Sequence, residues 1–196
     1  RTERRISHAF IMDVPSLDRA IIVTDAAINI FPTLEDKVHI AQNAIDLVRA
    51  AVAALRDRFG TVQLSRVYQN RPIGFDGDDF YNLVAGFDTG ERPETVAAAL
   101  HAIEQGQGRT RGPSRFSPRT LDLDLLLYDD LVRDDKSLRR PRSEIREYAC
   151  VLRPLAELAP DTRHPETGET FTQMWARFPQ SRQPLTPVEI DLANSG

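Results

Sequence analysis

The order of the predicted elements, strand, helix, strand, strand, helix and strand, predicts an α+β protein with a ferredoxin-like antiparallel sheet and packed helices. Two observations support this fold class. Short β-branched or alternating apolar runs are separated by two stretches with helical periodicity, and 41% of the 196 residues are hydrophobic, which suffices for one core. We expect an N-terminal extension at residues 1–20, one domain at 21–180 and a C-terminal tail at 181–196.

The first half of this domain contains a strand, a long helix and a second strand. The β-branched run 21–29 predicts the first strand. Apolar residues at alternating steps of four and three predict one amphipathic helix from near Leu34 to Phe59, which Gly60 ends. The run 61–69 predicts the second strand.

The second half repeats this alternation around two loops. Residues 71–79 hold one proline, two glycines and three aspartates and predict a loop, after which 80–88 predicts a strand antiparallel to the second. A helix is expected over 93–105, because proline is tolerated in its first turn. Residues 120–128 predict the last strand, and 144–158 carry a further helical pattern.

Composition excludes several classes of protein. A net charge of −4 argues against a broad nucleic-acid face, and the absence of a long apolar run or a signal-peptide pattern predicts a cytoplasmic protein without a membrane span. A single cysteine excludes an intrachain disulfide. Only Lys37 and Lys136 are lysines and neither follows a glycine, so bound phosphate would be held by arginine, metal or backbone. A GC-rich genome is the alternative explanation for the surplus of arginine.

The last predicted strand alternates leucine with aspartate. Its leucines share one face, which we expect in the core: they are Leu121, Leu123, Leu125 and Leu127. Asp122 and Asp124 share the other face at two strand rises, roughly 6.6 Å apart. Two carboxylates this close repel each other, and a bound Mg²⁺ would reverse the sign of that interaction. An ordinary solvated strand face is the alternative.

A basic loop leads directly into this strand. It has no acidic residue between 107 and 119 and contains four arginines, Arg109, Arg111, Arg115 and Arg119. Because metal ions clamp phosphates and arginines stabilise their spread charge, this combination indicates phosphoryl-type transfer. An RNA-binding loop is the alternative, but no RNP-like motif accompanies Phe80 and Tyr81, and we expect no nucleic-acid partner.

These motifs resemble the signature of the 6-hydroxymethyl-7,8-dihydropterin pyrophosphokinase family. The similarity runs without gaps over residues 104–124 and includes the specific Arg-Thr-Leu-Asp-Leu-Asp segment at 119–124. Segments within 72–82 and over 151–160 are similar to further motifs of the family. The resemblance covers residues 21–175.

The resemblance implies a ferredoxin-like fold and transfer of diphosphate from ATP to the hydroxymethyl group of the reduced pterin, giving AMP, with two Mg²⁺ ions, in folate biosynthesis. It implies a catalytic set of two magnesium-binding carboxylates and two phosphate-binding arginines: Asp122, Asp124, Arg109 and Arg119. ATP would also contact Arg111, Arg115 and Arg142. The pterin would contact Ile73, Phe80, Asn82 and Phe116, with Asn82 on its polar edge and Phe80 on its ring.

The sequence departs from the family pattern around the pterin and the adenine-side phosphates. Residues 27–32 replace a Gly-Ser-Asn-Leu-Gly segment, and Arg142, Tyr148 and Cys150 replace a histidine, an arginine and an aromatic residue. Two alternatives therefore stay open: a paralogous diphosphokinase with a different hydroxymethyl or pterin-like acceptor, and a non-catalytic nucleotide- or pterin-binding module. Association or fusion with another folate-pathway enzyme is a further expectation.

Three smaller features receive structural interpretations. His101 and Glu104, at the end of the predicted second helix, are expected on a solvated face or in a helix C-terminal contact. Cys150 is expected as a small core residue. The aspartates of 129–135 are expected in a solvated turn.

Overall fold

The computed structural model describes residues 18–27, 34–72, 79–107, 120–135 and 138–192. The main sheet is formed by β1 Asp18–Ala27, β2 Gln63–Leu64, β3 Val67–Asn70, β4 Phe80–Thr89, β5 Thr120–Tyr128 and, near the C-terminus, β8 Thr186–Val188. A separate hairpin is formed by β6 Arg133–Asp134 and β7 Arg139–Arg140. The helices are α1 Leu34–Phe59, α2 Pro93–Gly106, α3 Glu144–Glu147, α4 Ala149–Leu158 and α5 Phe171–Arg177.

The main sheet is antiparallel, with strand order β5-β1-β4-β3-β8 and with β2 also paired to β4. Two hydrophobic cores lie on its opposite faces, because side chains alternate along each strand. Leu83 and Ala85 of β4 enter the core under α1 and α2, while Val84 enters the core under α3, α4 and α5. The predicted α+β class with an antiparallel sheet and packed helices is confirmed.

Helix α1 has the predicted bounds and the predicted buried face. Val48, Val52 and Leu55 are fully buried in the first core. Gly60 ends the helix with φ +78°, a left-handed conformation that favours glycine, and donates its N–H to the Arg56 carbonyl at 2.8 Å. The aromatic ring of Phe59 stacks on Phe87 of β4 with ring centroids 4.1 Å apart, which anchors the end of the helix on the sheet.

The predicted strand over 61–69 is wrong in one respect, because it is interrupted at Ser65. Ser65 donates its N–H to the Val84 carbonyl at 2.9 Å, and its Oγ accepts the Val84 N–H at 2.9 Å. The register with β4 shifts by one residue between the pairs Leu64–Ala85 and Tyr68–Asn82. A side chain therefore takes the place of a backbone partner, and one extra residue bulges between β2 and β3.

A second irregularity changes the face of one predicted core residue. The pairing of β1 with β5 shifts register between Ile21 and Ile22, which face Leu127 and Leu125. Leu125 lies in the first core, but Leu127 packs in the second core beside Leu126. The expectation that Leu127 shares the face of the other three leucines is wrong, because this bulge reverses the alternation.

The predicted single helix over 144–158 is also wrong, because it consists of α3 and α4. Tyr148 separates them in an extended conformation, with φ −120° and ψ 127°. Gln183 accepts the Ala149 N–H at 2.8 Å and donates its Nε2 to the Glu147 carbonyl at 2.9 Å. A side chain from 34 residues further along the chain thus satisfies backbone groups at the break.

The C-terminal residues pack on the rest of the fold. In β8, Pro187 pairs with Tyr68 of β3, and the Leu192 carbonyl accepts a hydrogen bond from Arg56 at 2.6 Å. Part of the expected tail is therefore a strand of the sheet, while the predicted domain boundaries stay predictions. In the parts of the chain that the structure describes, no helix is long and apolar enough to span a bilayer.

Candidate functional site

The two aspartates of β5 lie on one face of an edge strand. Leu121 and Leu123 are buried in the first core, so the alternation of the strand turns Asp122 and Asp124 toward the face covered by α3 and α4. Both aspartates are partly exposed, and the Asp124 side chain retains 48% of its accessible surface. The predicted arrangement of these carboxylates is confirmed.

Arg142 lies directly beside this pair. Its Nη2 donates to Asp124 Oδ2 at 3.2 Å and contacts Glu144 Oε1 at 2.6 Å. Its backbone N–H donates to the Leu126 carbonyl of β5 at 3.1 Å. The segment after β7 is therefore attached to the edge strand, and it brings a guanidinium to a carboxylate 18 residues away in the sequence.

A second guanidinium, which the sequence interpretation missed, is buried near the first. Arg140 is only 8% exposed, and burial lowers its pKa to about 10, with nearby Arg142 acting in the same direction. The Nε atoms of Arg140 and Arg142 are both buried and make no hydrogen bond within the described residues. Two positive groups with spare donors thus flank Pro141, next to Asp124. No sequence motif marks Arg140, because its burial arises from tertiary packing.

The residues expected to bind the pterin lie on the same face, two strands away. Asp25 of β1 pairs with Asp122 on one side and with Asn82 of β4 on the other. Two strand spacings place the backbones of Asp122 and Asn82 ~10 Å apart. Asn82 is buried and donates its Nδ2 to Asn70 Oδ1 at 2.6 Å, and the half-buried Phe80 shares its face two residues earlier. The sheet brings these two predicted residues to the aspartates.

Helix α4 is fixed over this face by a hydrogen-bonded carboxylate. Glu157 accepts hydrogen bonds from the Tyr68 hydroxyl at 2.6 Å and from Arg66 Nε at 3.1 Å. Burial alone would raise the pKa of Glu157, but these hydrogen bonds outweigh it and the pKa is lowered. Burial raises the pKa of Tyr68, and its bond to Glu157 acts in the same direction. The carboxylate therefore stays ionised and links β3 to α4.

Two positions that depart from the family pattern lie at the start of α4. Tyr148, at the break before the helix, is 37% exposed. Cys150 is partly buried and packs against the second core, as expected for a small apolar residue. No large ring is available at Cys150 to stack on a planar ligand, so that role would fall to Phe80.

Six predicted site residues lie outside the described ranges, and their roles stay predictions: Ile73, Arg109, Arg111, Arg115, Phe116 and Arg119. His101 and Glu104 were expected on a solvated face or in a helix C-terminal contact, and for Glu104 the solvated face is wrong. Glu104 is 6% exposed and accepts the backbone N–H of Leu123, the residue between the two aspartates, at 2.7 Å. In the sequence, Glu104 is marked only by its position at the start of the motif that resembles the pyrophosphokinase family. Its contact with Leu123 depends on the packing of α2 against β5.

The donor set fits magnesium that is shared with a nucleotide. Over the described ranges, no group of three or more His, Cys, Asp or Glu side chains could enclose a metal ion. Mg²⁺ does not need such an enclosure, because it binds through one or two carboxylates and completes its shell with water and substrate phosphates. Asp122 and Asp124 supply that number of carboxylates, and the neighbouring guanidiniums suit phosphate oxygens.

The fold is similar to that of a larger solved protein. The crystal structure of wild-type Plasmodium falciparum HPPK-DHPS superposes with a TM-score of 0.60 at 12% identity. The superposition covers 90% of this chain and 47% of that chain. This likeness supports the fold, and the present chain spans less than half of the longer protein.

The N-terminal segment is similar to a different family. The phosphate acetyl/butaryl transferase family matches residues 1–56. Phosphate acetyltransferase of Rickettsia felis is 69% identical over 48 residues, which are 24% of this chain and 14% of that protein. Residues 27–32, which replace the Gly-Ser-Asn-Leu-Gly segment of the pyrophosphokinase pattern, lie inside this segment. The glycines of that pattern are therefore missing where the chain is similar to the phosphate acetyl/butaryl transferase family.

The greater part of the chain matches one family. The family described as 7,8-dihydro-6-hydroxymethylpterin-pyrophosphokinase matches residues 39–160. The 2-amino-4-hydroxy-6-hydroxymethyldihydropteridine pyrophosphokinase of Pseudomonas aeruginosa is 42% identical over 119 residues, which are 60% of this chain and 72% of that protein. The predicted family and enzyme class are confirmed, and the chain belongs to the 7,8-dihydro-6-hydroxymethylpterin-pyrophosphokinase family.

Proposed function

We propose that this chain transfers diphosphate from ATP to the hydroxymethyl group of 6-hydroxymethyl-7,8-dihydropterin and releases AMP. The observation that supports this most is the placement of Asp122 and Asp124 beside Arg142, on the sheet face that also carries Phe80 and Asn82. Family membership supports the same activity, because the relative from Pseudomonas aeruginosa is named as this pyrophosphokinase.

The carboxylate pair is the proposed magnesium site. Asp122 and Asp124 would hold two Mg²⁺ ions together with the phosphates of ATP, and when bound these ions neutralise charge on those phosphates. Arg142 and the predicted phosphate contacts Arg109 and Arg119 would stabilise the remaining charge. Arg142 already contacts Asp124, so a short movement of its guanidinium suffices to reach a phosphate oxygen bound there.

The transfer is an in-line displacement at the β-phosphorus. The substrate hydroxyl oxygen forms the new bond to that phosphorus, and the bond to the oxygen that bridges to the α-phosphate breaks. AMP leaves with the bridging oxygen, and the hydroxyl proton is released. The chain contributes position and charge stabilisation, which are the main protein contributions in phosphoryl transfer.

The pterin would lie beside β4. The amide of Asn82 offers a donor and an acceptor to a polar heterocycle edge, and the Phe80 ring offers a stacking surface. Asn70 holds the Asn82 amide at 2.6 Å, which fixes its orientation before substrate arrives. Ile73 and Phe116 are the further proposed pterin contacts, and Arg111 and Arg115 the further ATP contacts.

The test is AMP formation from ATP, Mg²⁺ and 6-hydroxymethyl-7,8-dihydropterin. We expect AMP from the wild type and a loss of at least ~100-fold in kcat with Asp122→Ala/Asp124→Ala, since that variant removes the proposed metal ligands. Asp134→Ala is a matched control, because Asp134 is a 71% exposed aspartate that pairs with Arg139. Wild-type activity in the double variant contradicts the proposed metal site.

A second candidate differs only in the acceptor. It is favoured by Cys150, which stands at the position of a stacking aromatic residue and packs against the second core. If the pterin is the acceptor, Cys150→Phe should lower its KM, and a regained aromatic contact of ~1 kcal/mol corresponds to about fivefold. Absence of AMP, with nucleotide binding that is lost in Asp122→Ala/Asp124→Ala, supports a different acceptor. Nucleotide binding without turnover of any hydroxymethyl acceptor supports a non-catalytic module.

We also propose a cytoplasmic location and association with another folate-pathway enzyme. The similar solved chains are named HPPK-DHPS. This name indicates that an HPPK part and a DHPS part are joined in one chain, which supports the association. Sedimentation of this chain with a separate DHPS protein should show a heavier complex. Independent sedimentation of the two proteins contradicts the association, and recovery in a membrane fraction contradicts the location.

A further inference from the structure

Glu104 occupies a position that is unfavourable for a carboxylate unless specific contacts stabilise it. It lies near the C-terminal end of α2, where the helix dipole disfavours negative charge, and the last turn of α2 holds no basic residue. It is also 6% exposed, and burial of a charged group costs free energy unless hydrogen bonds offset it. Its stability at this position therefore depends on the contacts of its two oxygens.

Both carboxylate oxygens of Glu104 are engaged. Oε1 accepts the backbone N–H of Leu123 at 2.7 Å, and Oε2 lies 2.8 Å from Nδ1 of His101, one turn earlier on α2. The His101 side chain is 48% exposed, so it faces solvent on one side and the carboxylate on the other. Oε1 thus bonds to the backbone of β5, and the contact of Oε2 with His101 on the same helix orients the carboxylate.

The bonded N–H belongs to the outer edge of the sheet. Among the residues that the structure describes, β5 pairs with β1 alone, and N–H groups of successive residues in an antiparallel strand point to alternate sides. The Leu123 N–H points toward α2, and Glu104 supplies the acceptor that a neighbouring strand would otherwise give. Leu123 also stands between the two aspartates, so this bond anchors the backbone between Asp122 and Asp124 on the side that does not face β1.

We propose that Glu104 is a positioning residue for the carboxylate pair, and that His101 orients it. The inference rests on the proposed function, in which Asp122 and Asp124 hold magnesium. A strand that pairs with a neighbour on one side can twist more freely than a central strand, and such twisting would turn the two aspartates away from a common site. The bond to Leu123 prevents this movement and keeps both aspartates directed at one site before the metal arrives.

The test measures Mn²⁺ binding, by electron paramagnetic resonance in the absence of nucleotide, together with amide exchange at Leu123. Loss of groups that orient metal ligands typically weakens metal binding by ~10- to 100-fold, and we expect Glu104→Ala to fall in that range. Glu104→Gln keeps an oxygen for Leu123 and can donate an N–H to His101, so it should bind Mn²⁺ within about threefold of wild type. His101→Ala should give an intermediate loss.

Two comparisons separate positioning from general stability. Glu94→Ala removes a glutamate from the first turn of the same helix, where it pairs with Arg133, and should leave Mn²⁺ binding unchanged. Glu104→Leu keeps the buried volume without an acceptor, so it should remain folded, exchange the Leu123 amide faster and bind Mn²⁺ as weakly as Glu104→Ala. The proposal also requires slow hydrogen exchange of the Leu123 amide in the wild type. This measurement tests the proposal even if Glu104→Ala does not fold.

Mn²⁺ binding and Leu123 exchange in Glu104→Leu that match the wild type would overturn the proposal. Failure of the proposed function gives a different pattern. In that case Asp122→Ala/Asp124→Ala binds Mn²⁺ like the wild type, while exchange at Leu123 still responds to Glu104→Leu. The two results are therefore distinguishable by the aspartate variant.

Discussion

Two regions with different sequence similarity meet in one sheet. Residues 1–56 match the phosphate acetyl/butaryl transferase family, and residues 39–160 match the pyrophosphokinase family, with an overlap inside α1. β1 comes from the first region and pairs with β4 over nine residues and with β5 over eight. A strand from the region similar to one family therefore lies between the two strands that carry the candidate site, which come from the region similar to the other.

The comparison shows that a central strand and a site of charged side chains require different kinds of residues. A central strand needs β-branched and apolar residues, which the Ala-Ile-Ile-Val-Thr run at 20–24 supplies, and its pairing uses only backbone groups. The site needs carboxylates and guanidiniums at particular positions, and Asp122, Asp124 and Arg142 all lie in the second region. The first region thus contributes a central strand, and the second contributes the described residues of the candidate site.

The largest effect is expected where the first region supports the second. Val23→Pro removes a backbone donor in the middle of the sheet, where Val23 pairs with Val84 on one side and Asp124 on the other. We expect a loss of more than ~3 kcal/mol and no cooperative thermal transition in near-UV circular dichroism. Thr186→Pro, in the short edge strand β8, is the control and should shift Tm only slightly. If Val23→Pro showed the same thermal transition as the wild type, the central position of β1 in the sheet would be contradicted.

A smaller loss is expected in the helix that both regions share. Leu55 of α1 is fully buried in the first core, and Leu55→Ala should cost about 2–5 kcal/mol in the free energy of unfolding, measured with urea. Arg49→Ala is the control on the same helix, because its pair with Asp46 is exposed and contributes at most ~0.5 kcal/mol. Equal effects of the two substitutions would contradict the burial of this face.

Within the second region, Glu157 gives a moderate and pH-dependent effect. Its folded pKa is lowered, so its contribution to stability is present above the unfolded pKa and is lost as pH falls through the folded pKa. Glu157→Gln should cost about 1–2 kcal/mol near neutral pH and should reduce the acid dependence of Tm. Tyr68→Phe removes one of its donors, so the double variant should be non-additive. Additive losses would show that the two groups act independently.

The smallest expected effect concerns Arg142. Its guanidinium competes for Asp124 with any cation, so Arg142→Gln should tighten Mn²⁺ binding about two- to threefold without nucleotide. The same substitution should weaken binding of the Mg²⁺–ATP complex, because a phosphate partner is lost. Arg146→Gln is the control, since Arg146 is a half-exposed arginine that pairs with Glu166. Unchanged binding of both ligands would exclude Arg142 from the site.

Much of the fold follows from local patterns in the sequence. The periods of four and three residues predicted α1 with both of its ends, and the alternation of leucine and aspartate predicted β5 and the shared face of its carboxylates. These features are local because, within a regular helix or strand, the backbone period determines which side chains share a face. The pyrophosphokinase family could also be predicted, because its motif around Asp122 and Asp124 is contiguous.

The tertiary structure decided the features that depend on distant residues. Ser65 interrupts a predicted strand through Val84, and Gln183 satisfies the break between α3 and α4. Arg140 is buried by packing, and Glu104 reaches Leu123 across the gap between α2 and β5. Each is a hydrogen bond or a burial made by groups that are separated along the chain. Such contacts exist only after the sheet has formed. The local sequence therefore determined most of the elements and the carboxylate pair, whereas tertiary packing decided where two of the elements are interrupted and which contacts hold the others in place.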